Sequence, residues 1–271
     1  LKNKRFIFGI IGCGNIGTAL TEGLIRFAGV PRDSICAGDL DKSKSGKFKK
    51  KFGICILNNE ALVKNSRFII IAVKPKDVPK LCSDISQNLQ NSSIIVSVAA
   101  GITIDSIRKF LKRKLPVIRL MPNLAIGHGK GLIGYCSKDI PEKNLQKLIN
   151  TLSKLGFCFR VKEKDMFSVT VVAGSGPGFL FYLAELIYGF LKKKGFPDKV
   201  SNQIVAGLFE GTGVMLGKSA ATPSLLKERV CSPGGTTLAG LSKLMEANIS
   251  EIIDAAFQAA EKRAVELSGE K

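Results

Sequence analysis

Six short runs, nearly all apolar and rich in β-branched and aromatic residues, punctuate the first part of the chain: 6-FIFGII-11, 35-ICAG-38, 68-FIIIAV-73, 93-SIIVSV-98, 116-PVIRL-120 and 157-FCFRV-161. Runs without polar alternation suit strands covered on both faces, as in a largely parallel sheet. Between them lie segments with helical spacing, such as 15-NIGTALTEGLIRFAG-29 and 141-PEKNLQKLINTLSKLG-156, the second with Pro at its start and Gly at its end. Strand alternating with helix predicts an α/β fold with a doubly wound sheet. Past residue 163 the strand pattern stops, and helical patterns follow at 177–194, 198–217, 222–230, 235–247 and 249–268. The expected organisation is two domains, 1–163 and an all-helical 164–271, with no long linker between them. In the second of those helices Gly207, Gly211, Gly213 and Gly217 recur at spacings of two to four. They weaken the helix but allow close approach of another one, either across a subunit interface or within the chain.

With 271 residues, 45% of them apolar, a large core is available and disorder is excluded as an overall state. The formal charge of +19 raises nucleic-acid binding as a function class, and 42-KSKSGKFKKKF-52 is the densest basic run. That run has no Arg or Trp, so it reads as a solvated helix face, and no specific nucleic-acid partner is expected. Such a surface also attracts small anions. Cys13, Cys36, Cys55, Cys82, Cys136, Cys158 and Cys231 are scattered without a C-x-x-C pair. That pattern predicts reduced thiols and a cytoplasmic protein, with neither a disulfide frame nor a metal site. A single histidine, His128, argues against a zinc enzyme or a His-based triad. The N-terminal 1-LKNKRFIFGIIGCG-14 is basic and then apolar like a leader, but its apolar run ends after about nine residues in a glycine motif and reads as a first buried strand. No uninterrupted apolar stretch reaches 18 residues, so no membrane partner is expected.

Residues 12-GCGNIG-17 form G-x-G-x-x-G between a predicted strand and a predicted helix. This is the context in which the motif binds a dinucleotide. Gly12 permits the tight turn, Gly14 the approach of a pyrophosphate and Gly17 the packing of helix on strand. The backbone of Gly12, Cys13, Gly14, Asn15, Ile16 and Gly17 is thus the candidate phosphate cradle. Asp39, 27 residues after Gly12, stands where an acid binds the ribose 2′-hydroxyl and repels a 2′-phosphate, which favours NADH. Lys42, Ser43 and Lys44 follow it and favour NADPH. A second glycine cluster, in 228-ERVCSPGGTTLAGLSKL-244, sits where another helix begins. A helix start of this kind offers bare N–H groups to an anion.

Taken together, 8-FGIIGCGNIGTAL-20, 72-AVKPKD-77, 96-VSVAAGITID-105, 121-MPN-123, 174-GSGPGFLFYLAEL-186 and 231-CSPGGTTLAGL-241 resemble the pyrroline-5-carboxylate reductase family over nearly the whole length. The resemblance implies a Rossmann-type domain followed by an all-helical dimerisation domain. It also implies a homodimer interlocked through those helices, open to assembly into a higher homo-oligomer such as a decamer. Ala72, Val73, Lys74 and Pro75 match the turn that lies against the cofactor, and Asn59 matches a ribose contact. Ala99, Ala100 and Gly101 border the nicotinamide side. Ser232, Gly235, Thr236 and Thr237 match the positions that hold the carboxylate of the small-molecule substrate. The implied reaction reduces a cyclic imine with NADPH or NADH. A protonated imine is already electrophilic, so the protein needs only to align two reactants and supply donors. Thr237 is the candidate catalytic hydroxyl near the ring nitrogen.

The chain also departs from the family pattern. Leu124 and Ala125 replace Thr and Pro after Met-Pro-Asn, Ala173 precedes the Gly-Ser-Gly-Pro run, and Gly178-Phe179 follows it. These changes keep two rival readings in view, a regulatory relative without turnover and a reductase of another cyclic imino acid. Of the remaining singular residues, His128 in 127-GHGKG-131 reads as a solvated loop residue and Cys231 as small packing. Lys74 reads as a ligand contact at a strand end or a surface lysine. Glu185 reads as a paired charge on an apolar helix or a site residue.

Overall fold

A computed structural model of the chain describes residues 5–268. The basic opening residues that gave the N-terminus its leader-like look, and the last three positions of the expected second domain, lie outside the described residues. The elements in the first part of the chain are β1 (Phe6–Ile11), α1 (Asn15–Arg26), β2 (Ile35–Gly38), α2 (Lys42–Phe52), β3 (Cys55–Ile56), α3 (Asn59–Asn65) and β4 (Ser66–Ile71). After them come α4 (Val78–Ile85), β5 (Ile94–Ser97), α5 (Ile104–Leu111), β6 (Val117–Pro122), β7 (Gly131–Lys138), α6 (Glu142–Leu152) and β8 (Gly156–Arg160). The helical remainder is α7 (Met166–Val169), a π-helical turn at Thr170–Ser175, α8 (Gly176–Lys193), α9 (Asp198–Lys218), α10 (Pro223–Arg229), α11 (Thr236–Glu246) and α12 (Ile249–Ser268).

The strands form one sheet in the order β3-β2-β1-β4-β5-β6-β7-β8. Its first six places follow the Rossmann order, with a parallel ladder running from β3 to β6. Both faces are covered along β1, β2, β4, β5 and β6, which is why those strands read as continuous apolar runs; β8, expected to be buried as well, lies at the sheet edge with no buried residue and Phe157 exposed. Phe68, Ile70, Ile94 and Val96 pack into one core with Leu20 and Leu24 of α1, while Ile69, Ile71 and Ile95 point the other way towards Leu81 and Ile107. All six predicted strands are present.

Two further strands escaped the sequence reading. β3 is only two residues long. β7 runs antiparallel to β6, pairing Leu120 with Tyr135, and joins β8 to the sheet. It begins inside the glycine cluster around His128 and carries Gly131 and Gly134, which depress strand propensity.

The change from strand to helix falls after β8, as expected, but the first compact unit extends to Gly174 and includes the end of α12 from Glu261; the second is Ser175–Ala260. The difference from a boundary at 163 has a packing cause. Met166 is fully buried in the core on one sheet face, with Val169 against it, and the Ser168 hydroxyl donates to Glu261. Arg119 of β6, 1% exposed, has Nη1 3.7 Å from Glu163 Oε1 and its guanidinium over the Phe167 ring.

The second unit is different in kind. Beyond Ala173, Ser201 is the only buried residue among the described side chains. Phe181, Tyr182, Leu186 and Phe190 of α8 are all largely exposed, Phe181 at 74%. The helical run Glu163–Lys193 reaches the length and mean hydropathy, 1.4, of a membrane-crossing helix. No uninterrupted apolar run of 18 residues underlies this value, because a mean over the window tolerates Glu185 and the glycines. Glu185 itself is exposed in the single chain.

Burial also sets a pH limit. It pushes the Cys13, Cys36 and Cys82 thiols from 9.0 up to about 12, and Cys136 to about 11. Folded values above the unfolded ones mean that this stabilisation is complete below pH 9.0 and is lost as pH rises through about 12. The thermal midpoint, followed by circular dichroism, is expected to fall steeply above pH 9.0, with a shallower fall in Cys82→Ala.

Candidate active site

The turn after β1 is where three strand ends meet. Gly12 N–H donates to Gly38 O at 2.8 Å, and Ala72 N–H donates to Ile11 O at 2.8 Å. Gly12 has φ +110°, and a Cβ there would lie 2.5 Å from Ala72 O; one on Gly17 would lie 2.1 Å from Gly12 O. Neither position accepts a side chain. Gly14 has no such neighbour: nothing lies within 4 Å of its missing Cβ. It is also the N-cap of α1, with no side-chain cap bond and no acidic residue in the first turn. The first-turn N–H groups, at Asn15, Ile16 and Gly17, are therefore left for an outside anion. The geometry fits a dinucleotide pyrophosphate.

The other cofactor candidates gather at the same edge of the sheet. Asp39 follows β2 and accepts the Cys13 N–H at 2.8 Å. Asn59, at the start of α3, has Oδ1 3.2 Å from the Cβ position of Gly38. Ala72, Val73, Lys74 and Pro75 follow β4, with Lys74 exposed at the head of a short 3-10 turn. Ala99, Ala100 and Gly101 follow β5, whose neighbour Val98 donates to Ile71 O at 3.1 Å. The C-terminal ends of successive strands thus carry every one of them, as open α/β sheets carry their ligands. The Cys13 thiol, held protonated by burial and then by Asp39, is not a nucleophile.

Two supports were not legible in the chain. Glu163 Oε1 accepts the Ile104 N–H at 2.7 Å, so it caps α5 and steadies the Ala99–Gly101 loop that leads there. Its partner lies 59 positions away in sequence, and no local pattern announces it. Asn123 clamps the start of the 121–131 turn through Asn123 N–H to Leu132 O and Leu132 N–H to Asn123 Oδ1. That turn packs on α1, Gly127 lying against Ala19, with Leu124 and His128 exposed.

The substrate candidates lie in the helical unit. Ser232–Gly235 is a tight turn closed by Gly235 N–H to Ser232 O at 2.9 Å. Gly235 is the N-cap of α11, with no side-chain cap and no acidic first turn, and Thr236 and Thr237 are its first two residues. Elsewhere Thr103 caps α5 and Thr222 caps α10 through their hydroxyls. The sequence of α11 leaves its own N–H groups open, as α1 does.

Gly14→Ala and Gly17→Ala separate the two glycine roles. Gly14→Ala is expected to keep the thermal midpoint while raising the dissociation constant for dinucleotide at least about tenfold, roughly 1.4 kcal/mol. Gly17→Ala is expected to lower the midpoint as well, because its Cβ meets backbone. Calorimetric titration alongside melting distinguishes them.

The comparisons with known proteins fall on both units. A family model described as NADP oxidoreductase, coenzyme F420-dependent, matches residues 7–101. One described as pyrroline-5-carboxylate reductase dimerisation matches residues 163–267. Pyrroline-5-carboxylate reductase 3 of Danio rerio is 34% identical over 267 residues, covering 97% of this chain and 92% of the relative. Pyrroline-5-carboxylate reductase of Methanosarcina acetivorans is 31% identical, covering 100% and 98%. Among solved structures, pyrroline carboxylate reductase of Plasmodium falciparum with NADP bound aligns with TM-score 0.88 at 24% identity, covering 98% of this chain and 99% of that one. A pyrroline-5-carboxylate reductase from Coxiella burnetii aligns at 0.86 and 26%, covering 98% and 99%. With an uncapped helix end at each of two glycine turns, and with relatives of this identity along its length, the chain belongs to the pyrroline-5-carboxylate reductase family.

Proposed function

We propose that the chain reduces 1-pyrroline-5-carboxylate to L-proline with NAD(P)H, the last step of proline biosynthesis. The observation that carries the reading is the pairing, in one chain, of a G-x-G-x-x-G helix start fit for pyrophosphate with the 231–241 segment, whose helix start is fit for a carboxylate. The cofactor, when bound, supplies a hydride to the imine carbon. One protonated imine and one reduced nicotinamide become one secondary amine and one oxidised nicotinamide, so charge and atoms balance without a covalent enzyme intermediate.

The protein's part is then placement and charge. The loop from Gly12 to Gly17 holds the pyrophosphate, Asn59 the ribose, and the segments Ala72–Pro75 and Ala99–Gly101 the nicotinamide half. Ser232, Gly235, Thr236 and Thr237 hold the substrate carboxylate through backbone N–H groups and hydroxyls, charge-assisted bonds of the stronger kind. Thr237 keeps a hydroxyl near the ring nitrogen. This reading is supported by the free first turn of α11 and by the position of both threonines within it.

The enzyme is a homo-oligomer, as the dimerisation match and the coreless helical unit require. We assign the primary contact to a dimer formed through α8–α12, and the reaction to the cytoplasm, in keeping with seven free cysteines. Covering one exposed Phe is worth about 2 kcal/mol, so many such side chains make a strong association.

Spectrophotometric oxidation of NADH and NADPH with 1-pyrroline-5-carboxylate tests the activity. Turnover with the five-membered imine is expected. Oxidation only with the six-membered homologue would shift the assignment to another cyclic imino acid. No oxidation by protein that binds nucleotide would leave the regulatory reading. Thr237→Ala is expected to lower kcat roughly a hundredfold, the scale of one positioned hydrogen-bonding group at the reacting centre, with little change in cofactor affinity. Unchanged kcat removes Thr237 from the mechanism. Phe181→Asp is expected to dissociate the oligomer in sedimentation and to lower the thermal midpoint.

A further inference from the structure

The three residues between β2 and α2, with the first turn of α2, bear on which nicotinamide cofactor enters, a question that rests on the dinucleotide site proposed above. Asp39 has both carboxylate oxygens committed to backbone: Oδ2 accepts the Cys13 N–H at 2.8 Å and Oδ1 accepts the Asp41 N–H at 2.9 Å. It is fixed beside the glycine turn, where the adenosine ribose lies in this fold. Asp41 is the N-cap of α2, its Oδ1 accepting Ser43 N–H at 2.9 Å and Lys44 N–H at 3.3 Å. The positive end of α2 therefore already holds a negative group. Lys44, one of the cations that favoured NADPH by sequence, has Nζ 3.8 Å from Asp41 Oδ2. Leu40 between the two acids is 90% exposed and offers a phosphate no donor.

We propose that Asp41 makes this chain selective for NADH by filling the α2 N-terminus with its own carboxylate. A 2′-phosphate on a ribose held at Asp39 meets two carboxylates within one turn of chain. The N–H groups that could receive it at Ser43 and Lys44 are spent on Asp41, and the Lys44 charge is partly neutralised by the same residue. Lys42, the next residue, is exposed, and one exposed lysine does not offset two fixed acids. A 2′-hydroxyl, by contrast, finds in Asp39 an acceptor already oriented. The selectivity is thus a property of a pair: Asp39 positions the ribose, and Asp41 withdraws the helix end from the phosphate. The Plasmodium falciparum relative carries NADP, so the choice described here is one of this chain's own residues.

Calorimetric titration of the full-length oligomer with ADP-ribose and with its 2′-phosphate reads this directly, without turnover. The native protein is expected to bind ADP-ribose at least about tenfold more tightly, since a dianionic phosphate near fixed carboxylates in partly screened solvent loses affinity on this scale. Asp41→Asn keeps a good helix cap while removing the charge. It is expected to raise affinity for the 2′-phosphate about tenfold, and added salt is expected to narrow the native ratio. Equal or tighter binding of the 2′-phosphate by the native protein overturns the proposal, as does a ratio untouched by Asp41→Asn in protein that melts normally. Failure to bind either nucleotide overturns the dinucleotide site itself, and this inference with it.

Discussion

The structure depends on how closely three strand ends are drawn together at Gly12. A backbone bond ties β1 to the end of β2, another ties β4 back to β1, and the carbonyl of Ala72 sits where any side chain at Gly12 would go. This closeness aims α1 so that its first turn opens outward beside Gly14. It also carries Asp39, Asn59 and Lys74 to one edge, because each follows or borders a strand that ends at the same level. A parallel sheet covered on both faces holds that level rigidly: its central strands have almost no exposed side chain to relax.

The helical unit obeys a different constraint. It has long helices, exposed apolar faces and almost nothing buried, so a single copy lacks the burial that stabilises packed helices. Association supplies it, and the many exposed large apolar side chains of α8 and α9 are of the kind that mark an interface. The glycines of α9 belong to this picture, since Gly207, Gly211, Gly213 and Gly217 have nothing near their missing Cβ atoms in one chain. Of the two explanations the sequence allowed for them, close contact within the chain is not what the described residues show.

Both candidate ligand-binding helix starts use one device, a glycine N-cap without a competing side chain. The same physics runs in reverse at α2, where Asp41 closes the helix end. A chain that leaves two N-termini open and shuts a third sets which helix ends stay uncapped by the choice of a single residue at each cap.

Much of this was legible in the chain. The six strands, five of them buried, the glycine motif and the uncapped start of α11 follow from local composition, because burial, turn geometry and capping each need particular residues at short spacing. β7 was hidden by its glycines. Glu163, reaching from after β8 to cap α5 and face the buried Arg119, had no local signal at all. Asp41 was visible as a cap in principle, but that it spends Ser43, Lys44 and the helix end together was not. The sequence by itself determined which segments fold as strands or helices and where backbone donors lie bare, since those depend on near neighbours. Only the tertiary structure decided which charges meet, because partners like Glu163 and Arg119 come together through packing of the sheet and not through proximity along the chain.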